Sequence, residues 1–247
     1  MILTIGDAIV DQYIEHETVR PCPEGDWPIV REVRRYTKPG GASAVDAMLI
    51  AAGDDCRLLV STMGLTKKIR VLIDGNTSHR IDEDRNSRFA RMAAKRLRSW
   101  DISPDVVLIA DYGKGVINRA VIEACLDRGW KVIVDPHPSQ NPRTYLGVYG
   151  ICPNRAENQK HGYALRCKEW PRFCLKLDKD GLLAFDHGRQ KLFKSSAVQI
   201  VDCCGAGDQV LATLGVAIAR GTEWIEACGE ANAAAGRQCG VFGVIPT

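Results

Sequence analysis

Short apolar segments alternate with segments of helical periodicity along most of this 247-residue chain. The internal apolar segments, such as 104–110 and 130–135, are rich in Val, Ile and Leu and have the length of strands. Strands separated by helices predict βαβ units, and therefore an α/β fold with a mostly parallel sheet and helices on both faces. We predict strands at 2–5, 56–62, 104–110, 130–135, 147–152, 173–177, 181–186 and 191–194, and helices at 42–52, 86–100, 117–128, 154–163, 207–220 and 223–239.

Two polar, alternating stretches interrupt this pattern, at about 9–37 and 66–83. Alternation of apolar and polar residues, as in Ile69-Arg70-Val71-Leu72, is typical of short antiparallel strands. We expect these stretches to form a small β lid outside the main sheet. Exposed strand edges in the first stretch favour a homodimer. No linker-like composition divides the chain, so residues 1–247 are predicted to form one domain.

Charge and cysteine patterns exclude several classes of function. A net charge of +3, with Lys and Arg spread among the acids, gives no indication of a nucleic-acid partner. No apolar run approaches the about 20 residues of a membrane span, and the first one stops at Asp7 like a buried strand, so a cytoplasmic protein is expected. The ten cysteines include no C-x-x-C pair and the five histidines lack metal-ligand spacing, which predicts reduced thiols and no zinc site.

A turn of small residues, Val201-Asp202-Cys203-Cys204-Gly205-Ala206-Gly207-Asp208, precedes a predicted apolar helix that ends at Gly221. Glycines before a helix allow backbone N–H groups to point at an anion, and the helix dipole adds positive charge there. The turn can therefore hold a phosphate, with Asp208 as a candidate general base for an attacking hydroxyl. The alternative is a tight loop in which Asp208 only caps the helix.

Polar residues follow three predicted strands, at Asp111, Asp135 and Asn154. Ligands of parallel sheets bind at the carboxyl ends of the strands, so these residues form a row of functional candidates. Asn154 and Glu157 also have the spacing of a helix capping box, which remains the alternative to a ligand-binding role.

Several short motifs occur in a fixed order along the chain, and each one alone is weak. They are Gly6-Asp7 with Asp11, Lys38-Pro39-Gly40-Gly41-Ala42, Asp111-Tyr112-Gly113-Lys114-Gly115, Pro153-Asn154-Arg155-Ala156-Glu157, Gly205-Ala206-Gly207-Asp208 and Ala231-Asn232-Ala233-Ala234-Ala235. As an ordered set, they resemble the ribokinase-like (PfkB) carbohydrate kinases over essentially the whole chain. The resemblance implies a three-layer ribokinase-like fold. It also implies a homodimer in which the lid strands of two subunits pair.

Residues 6–13, 22–30, 68–72 and 111–115 are most similar to the family members that phosphorylate heptose 7-phosphate at its anomeric hydroxyl, on the route to ADP-heptose for lipopolysaccharide. The resemblance covers the kinase part of those proteins in a shortened form. A nucleotidyltransferase domain follows in the bifunctional versions, and we do not expect that second activity here.

The resemblance implies ATP and Mg²⁺ as cofactors and leaves room for a monovalent cation. Asp208 would be the base, and the amides of Gly205, Ala206 and Gly207 would form an anion hole for the transferring phosphoryl group. Asn154 and Glu157 would organise Mg²⁺ through water. The nucleotide would contact Asn154, Lys176, Asp178, Gly181, Gly205, Gly207 and Asn232.

The sugar end of the site is implied by the same resemblance. Carboxylates accept hydrogen bonds from hydroxyls, glycines allow the backbone to approach the ring, and cations would bind a phosphate on the substrate. The expected substrate residues are Asp7, Asp11, Gly40, Gly41 and Asp111, with Lys38, Arg70, Arg80 and Lys114 for the sugar phosphate. For these four cations, an ordinary surface role is the alternative.

The chain departs from the family pattern in ways that leave two other functions open. Ala44 stands where the family has a sugar-binding asparagine, and Cys204 and Gln209 flank the catalytic turn in place of hydroxyl residues. Contractions after residues 61–64 and within 158–172 shorten the chain. The alternatives are a catalytically silent protein that binds nucleotide or sugar, and a kinase for another sugar or a nucleoside.

Overall fold

The computed structural model describes residues 1–61, 65–86, 88–196 and 203–240. Predicted positions at Thr62, Ser87, Val201 and Asp202 lie outside the described residues. The strands are β1 (Ile2–Gly6), β2 (Ala8–Pro21), β3 (Pro28–Gly41), β4 (Cys56–Val60), β5 (Thr66–Ile73), β6 (Asn76–Glu83), β7 (Val106–Ala110), β8 (Val132–Asp135), β9 (Gly150–Ile151), β10 (Arg172–Lys176), β11 (Leu182–Asp186) and β12 (Arg189–Phe193). The α-helices are α1 (Ala42–Ala51), α2 (Ala90–Ser99), α3 (Arg119–Leu126), α4 (Arg155–His161), α5 (Ala206–Ala219) and α6 (Trp224–Gln238).

An eight-stranded sheet forms the middle layer, in the order β12-β11-β10-β9-β8-β7-β1-β4. Six neighbouring strands of this sheet, β4, β1, β7, β8, β9 and β10, are parallel. At the other edge, β11 pairs antiparallel with β10, and β12 pairs antiparallel with β11. This arrangement confirms the predicted mostly parallel α/β sheet. The central strands β1 and β7 are buried on both faces, as their apolar sequences predicted.

Two apolar cores cover the two faces of this sheet. Alternate residues of β7 show the division, because Val106 and Leu108 join the core with α1, α5 and α6, whereas Val107 and Ile109 join the core with α2 and α3. The fold therefore has three layers. The helix predicted at 86–100 begins only at Ala90, and the strand predicted at 147–152 is reduced to the two residues of β9.

A second sheet of four strands, in the order β3-β2-β5-β6, forms the lid. It covers both predicted segments, but it is mixed rather than antiparallel, because β2 and β5 run parallel. The register places Lys68 opposite Asp11, and Arg70 opposite Arg80 of β6. Basic side chains from two strands therefore share one face of the lid.

None of the helices within the described residues is long and apolar enough to cross a membrane.

Helix α5 packs closely on the central sheet at Gly215, where a Cβ atom would lie 2.7 Å from Cδ1 of Leu108. We predict that Gly215→Val lowers the free energy of unfolding by about 2 kcal/mol, because overpacking forces the helix from the sheet. Thermal unfolding would show a Tm lower by about 4–8 °C. The control is Ala219→Val in the last, partly exposed turn of α5, which should change the Tm little. Equal Tm values for both variants would contradict this packing.

Candidate active site

The candidate site lies at the carboxyl ends of the central strands. Asp7 follows β1 and Asp111 follows β7, while β8 ends at Asp135 and β10 ends at Lys176. Parallel register brings these ends together, and Asn154 forms a parallel bridge with Lys176. The predicted row of polar residues therefore shares one edge of the sheet.

Asp7 is buried at this edge, with 2% of its surface exposed. Its carboxylate accepts hydrogen bonds from the amides of Tyr112, Lys114 and Val116, at 3.0–3.1 Å. Its carbonyl oxygen accepts a further hydrogen bond from the amide of Ala42 at 3.0 Å. The Asp7 side chain thus fixes the loop after β7 and its carbonyl oxygen fixes the start of α1, while its contact with sugar stays a prediction.

Asp111 also forms hydrogen bonds with other residues of the protein. Its carboxylate accepts hydrogen bonds from the Tyr145 hydroxyl at 2.7 Å and from the Gly113 amide at 2.8 Å. Burial raises the pKa of Asp111 to about 6. Asp111 thus stabilises the loop that carries Tyr112, and its contact with substrate stays a prediction.

Helix α5 begins at the predicted glycine turn. Gly205 is its N-cap, with a φ of 79° that favours glycine, and Ala206 and Gly207 form its first turn. Asp208 follows in the same turn and is buried. The first turn leaves backbone N–H groups without helical partners, at the positive end of a 14-residue helix dipole. Chemically, this end of the helix suits an anion.

The carboxylate of Asp208 is held by the Tyr112 hydroxyl, which donates a hydrogen bond to Oδ1 at 2.6 Å. Burial raises the pKa of Asp208 to about 7, against the effect of this hydrogen bond, which favours the charged form. A carboxylate with a pKa near neutrality can accept a proton from a hydroxyl at physiological pH. Sequence reasoning gave Tyr112 no role, although it lies within a recognised motif.

A cavity of about 650 Å³ opens beside the start of α5. Its volume lies in the range of small-molecule and cofactor sites. Gly181 has a φ of 99°, and a Cβ atom there would lie 2.0 Å from the carbonyl oxygen of Phe193, so this wall requires glycine. The cavity brings together six of the residues predicted to contact a nucleotide, which are Asn154, Lys176, Asp178, Gly181, Gly207 and Asn232.

Lys176 and Asp135 form an ion pair at the inner end of this cavity, with 2.5 Å between Nζ and Oδ1. Burial opposes the charge on Lys176, but the carboxylates of Asp135 and Glu157 outweigh it and raise the pKa of the lysine. Sequence reasoning placed Asp135 only in the row of strand ends. Its partner is 41 residues away, so no local signal identified the pair.

Asn154 and Glu157 form the capping box that was the alternative to a metal-binding role. The Asn154 side chain accepts from the Glu157 amide at 2.9 Å, and Glu157 accepts from the Asn154 amide at 2.8 Å. Burial, with the nearby charge of Asp135, raises the pKa of Glu157 to about 7.

The three side-chain oxygen atoms of Asn154 and Glu157 all accept hydrogen bonds within the cap, and each can accept one more from a water bound to Mg²⁺, an ion that is commonly held through water and substrate phosphates. The described residues contain no group of three or more His, Cys, Asp or Glu side chains that could hold a metal ion by themselves. The residues present therefore fit an ion that takes most of its ligands from water and phosphate.

Asp11 lies on the lid side of the site and forms an ion pair with Arg70. A Cβ atom on Gly40 would lie 2.2 Å from Oδ2 of Asp11, and one on Gly41 would lie 2.4 Å from the carbonyl oxygen of Asp7. Gly41 is therefore needed where β3 approaches the backbone between β1 and β2, whereas a Cβ atom at position 40 would displace the Asp11 carboxylate. Asp11, Gly40 and Gly41 thus lie together, and their contact with sugar stays a prediction.

The predicted phosphate-binding cations are divided among carboxylate and aromatic partners. Arg80 pairs with Asp82 at 2.6 Å, and Lys114 pairs with Asp84 at 2.7 Å. The ammonium group of Lys38 lies 5.9 Å from the centre of the Tyr13 ring.

Lys68 was missing from the predicted set. Its ammonium group lies 4.9 Å from the centre of the Tyr112 ring, and burial lowers its pKa. The two-residue period of β5 places it on the same face as Arg70, a signal that the sequence already contained.

Comparison with known proteins adds to this geometry. A sequence model of the pfkB family carbohydrate kinases matches residues 114–247. D-beta-D-heptose 7-phosphate kinase of Bordetella bronchiseptica is 29% identical over 292 residues, covering 98% of this chain and 91% of that protein. The bifunctional protein HldE of Desulfatibacillum aliphaticivorans is 27% identical, covering 95% of this chain and 58% of that protein. The chain thus spans less than two thirds of the bifunctional relative.

Solved structures share the fold. The ribokinase of Arabidopsis thaliana, complexed with ribose and ATP, has a TM-score of 0.72 at 20% identity, covering 99% of this chain and 94% of that chain. A nucleoside kinase of Burkholderia thailandensis in complex with inosine has a TM-score of 0.71 at 14% identity, covering 98% of this chain and 92% of that chain. The predicted ribokinase-like fold is confirmed.

We predict that Tyr112→Phe raises the pKa of Asp208 further above 7, because the hydroxyl that stabilises its charged form is lost. Carboxyl ¹³C chemical shifts, followed by NMR from pH 5 to pH 9 in aspartate-labelled protein, would measure the change. Tyr36→Phe on the lid is the control, since Tyr36 stacks on Tyr13 away from Asp208. An unchanged Asp208 titration in the Tyr112 variant would contradict the role of this hydrogen bond.

Proposed function

The chain belongs to the pfkB family of carbohydrate kinases, and on this premise we propose that it transfers the terminal phosphoryl group of ATP to a hydroxyl of a sugar phosphate. Heptose 7-phosphate is the proposed acceptor, because the heptose 7-phosphate kinase of Bordetella bronchiseptica matches 98% of this chain. The observation that carries the proposal is the position of Asp208, which lies at the start of α5 and is held by the loop after β7.

Asp208 would act as the general base. It accepts the proton of the sugar hydroxyl as the hydroxyl oxygen bonds to the terminal phosphorus and the bond from that phosphorus to the ADP oxygen breaks. The raised pKa of the carboxylate, about 7, strengthens it as a base, and the deprotonated form is available above that pH. Activity should therefore fall as the pH is lowered below about 7.

Charge on the transferring group would be stabilised by the first turn of α5. The amides of Gly205, Ala206 and Gly207 lie at the positive end of the helix dipole, next to the base. Asn154 and Glu157 would hold Mg²⁺ through water, and the ion would neutralise charge on the nucleotide phosphates. The cavity that these residues line would hold the nucleotide.

The positive charges of the lid favour a substrate that already carries a phosphate. Arg70 and Arg80 are direct partners in the β5–β6 register, and like charges at such positions repel. Lys68 adds a third cation, and the charge of Arg80 contributes to its lowered pKa after burial. An anion bound on this face would relieve the repulsion. A homodimer formed through the lid and a cytoplasmic location remain predictions.

We predict that Asp208→Asn reduces kcat by about two to four orders of magnitude with the preferred acceptor, because the base is lost. Release of ADP from Mg-ATP would be measured with a panel of sugars, sugar phosphates and nucleosides, and the panel also identifies the acceptor. Nucleotide binding, measured by calorimetry, should persist in the variant. If no acceptor gives turnover above the variant while nucleotide still binds, the protein is a nucleotide-binding relative without kinase activity.

We predict that Lys68→Met raises KM for the phosphorylated acceptor at least about tenfold, because a charge-assisted contact with its phosphate is lost. KM for the unphosphorylated sugar should stay the same. Lys67→Met is the matched control, since Lys67 is exposed and lies on the opposite face of β5. Equal losses for both acceptors would show that Lys68 does not recognise the phosphate.

A further inference from the structure

We propose that Lys176 is a catalytic residue, whose ammonium group contacts the phosphoryl group in transfer, and that Asp135 is the positioning residue that holds it there. This inference rests on the proposed kinase reaction. It assigns a cationic side chain to the anion hole, beyond the backbone amides of the glycine turn.

Lys176 lies where the nucleotide cavity meets the start of α5. It lines the cavity, and its Nζ atom is 3.5 Å from the point that a Cβ atom on Gly207 would occupy. Oδ2 of Asp135 is 3.7 Å from the same point. The ion pair therefore packs directly against the turn whose amides would bind the phosphoryl group. A side chain at position 207 would fill the space between the turn and the ammonium group.

Lys176 is also close to the base. Its charge, with that of Lys68, favours the ionised form of Asp208 and opposes the effect of burial on the pKa of that carboxylate. Lys176 therefore borders both the nucleotide cavity and the carboxylate that receives the hydroxyl proton. A phosphoryl group that moves from the proposed nucleotide cavity towards Asp208 would pass close to this ammonium group.

The chemistry of the ammonium group suits this task. A lysine ammonium has three N–H donors, and the bond to Asp135 uses one of them, which leaves donors for phosphate oxygens. During transfer, the sugar oxygen bonds to phosphorus, the bond to the ADP oxygen breaks, and the proton goes to Asp208. Lys176 would neutralise negative charge on the phosphoryl oxygens throughout, without changing its own protonation.

A purely structural role is a weak explanation for this pair. A buried ion pair gains little stability over a neutral pair of similar volume, because the loss of hydration offsets the attraction between the charges. Replacing only one partner would leave the other charge buried and alone. The test therefore replaces both.

The double variant Asp135→Asn with Lys176→Met removes the cation while keeping a neutral, similarly sized pair. Calorimetry would give its affinity for AMP and for a non-hydrolysable ATP analogue, and thermal unfolding would monitor the fold. We expect unchanged AMP affinity, at least about tenfold weaker binding of the triphosphate, and a kcat at least about 100-fold lower. Lys95→Met is the control, because Lys95 is exposed on α2 and does not line the nucleotide cavity.

Unchanged triphosphate affinity and kcat in a folded double variant would overturn the proposal and leave the ion pair a structural role. If the double variant does not fold, the single variant Asp135→Asn tests the proposal. In this variant, the ammonium group of Lys176 keeps its charge but loses the ion pair that positions it. In that variant kcat should fall at least about tenfold while triphosphate still binds, and an unchanged kcat would overturn the proposal. Absence of turnover in the wild-type protein would instead contradict the proposed function.

Discussion

The carboxylate of Asp7 links the parts on which the site depends. It accepts hydrogen bonds from three backbone amides of the loop after β7. The carbonyl oxygen of the same residue accepts a hydrogen bond from the first amide of α1. Hydrogen bonds to a buried carboxylate are among the stronger ones in proteins. With the loop fixed in this way, the Tyr112 hydroxyl reaches Asp208, and the Lys114 side chain reaches Asp84 beside the lid. The loop after β7, the start of α1 and the start of α5 are thereby held, directly or through Tyr112, by one buried residue.

Asp208, the proposed base, is influenced by cations from two directions. Lys176 comes from the central sheet and Lys68 from the lid, and the charge of each favours the ionised form of Asp208. Asp135 acts in the opposite sense, as does burial. The result is a carboxylate with a pKa of about 7, poised between its protonated and ionised forms. Such balance requires elements distant in sequence, because no local pattern around residue 208 contains either lysine.

Sequence reasoning identified the elements that local signals determine and missed the contacts that depend on distant partners. The period of apolar residues located the sheet, its helices and the lid, and the glycine turn marked the start of α5. The spacing of Asn154 and Glu157 allowed both a cap and a metal site, and the structure contains the cap. By contrast, the partners of Asp7 lie more than 100 residues away and those of Asp111 up to 34. Their internal roles follow from tertiary contacts that a pattern of residue types does not encode.

The charges on the inner face of the lid bear on which substrate the proposed kinase would select. On its inner face, the cations of Lys38, Lys68, Arg70 and Arg80 surround the carboxylates of Asp11 and Asp82 and outnumber them by two. The partly buried Arg70 has few solvent contacts to screen its repulsion with Arg80, its partner in the register. A neutral sugar would leave this excess charge uncompensated, whereas a phosphate dianion would complement it. Selection of a phosphorylated acceptor would therefore arise from the register of β5 and β6, which sets these cations side by side before any substrate binds.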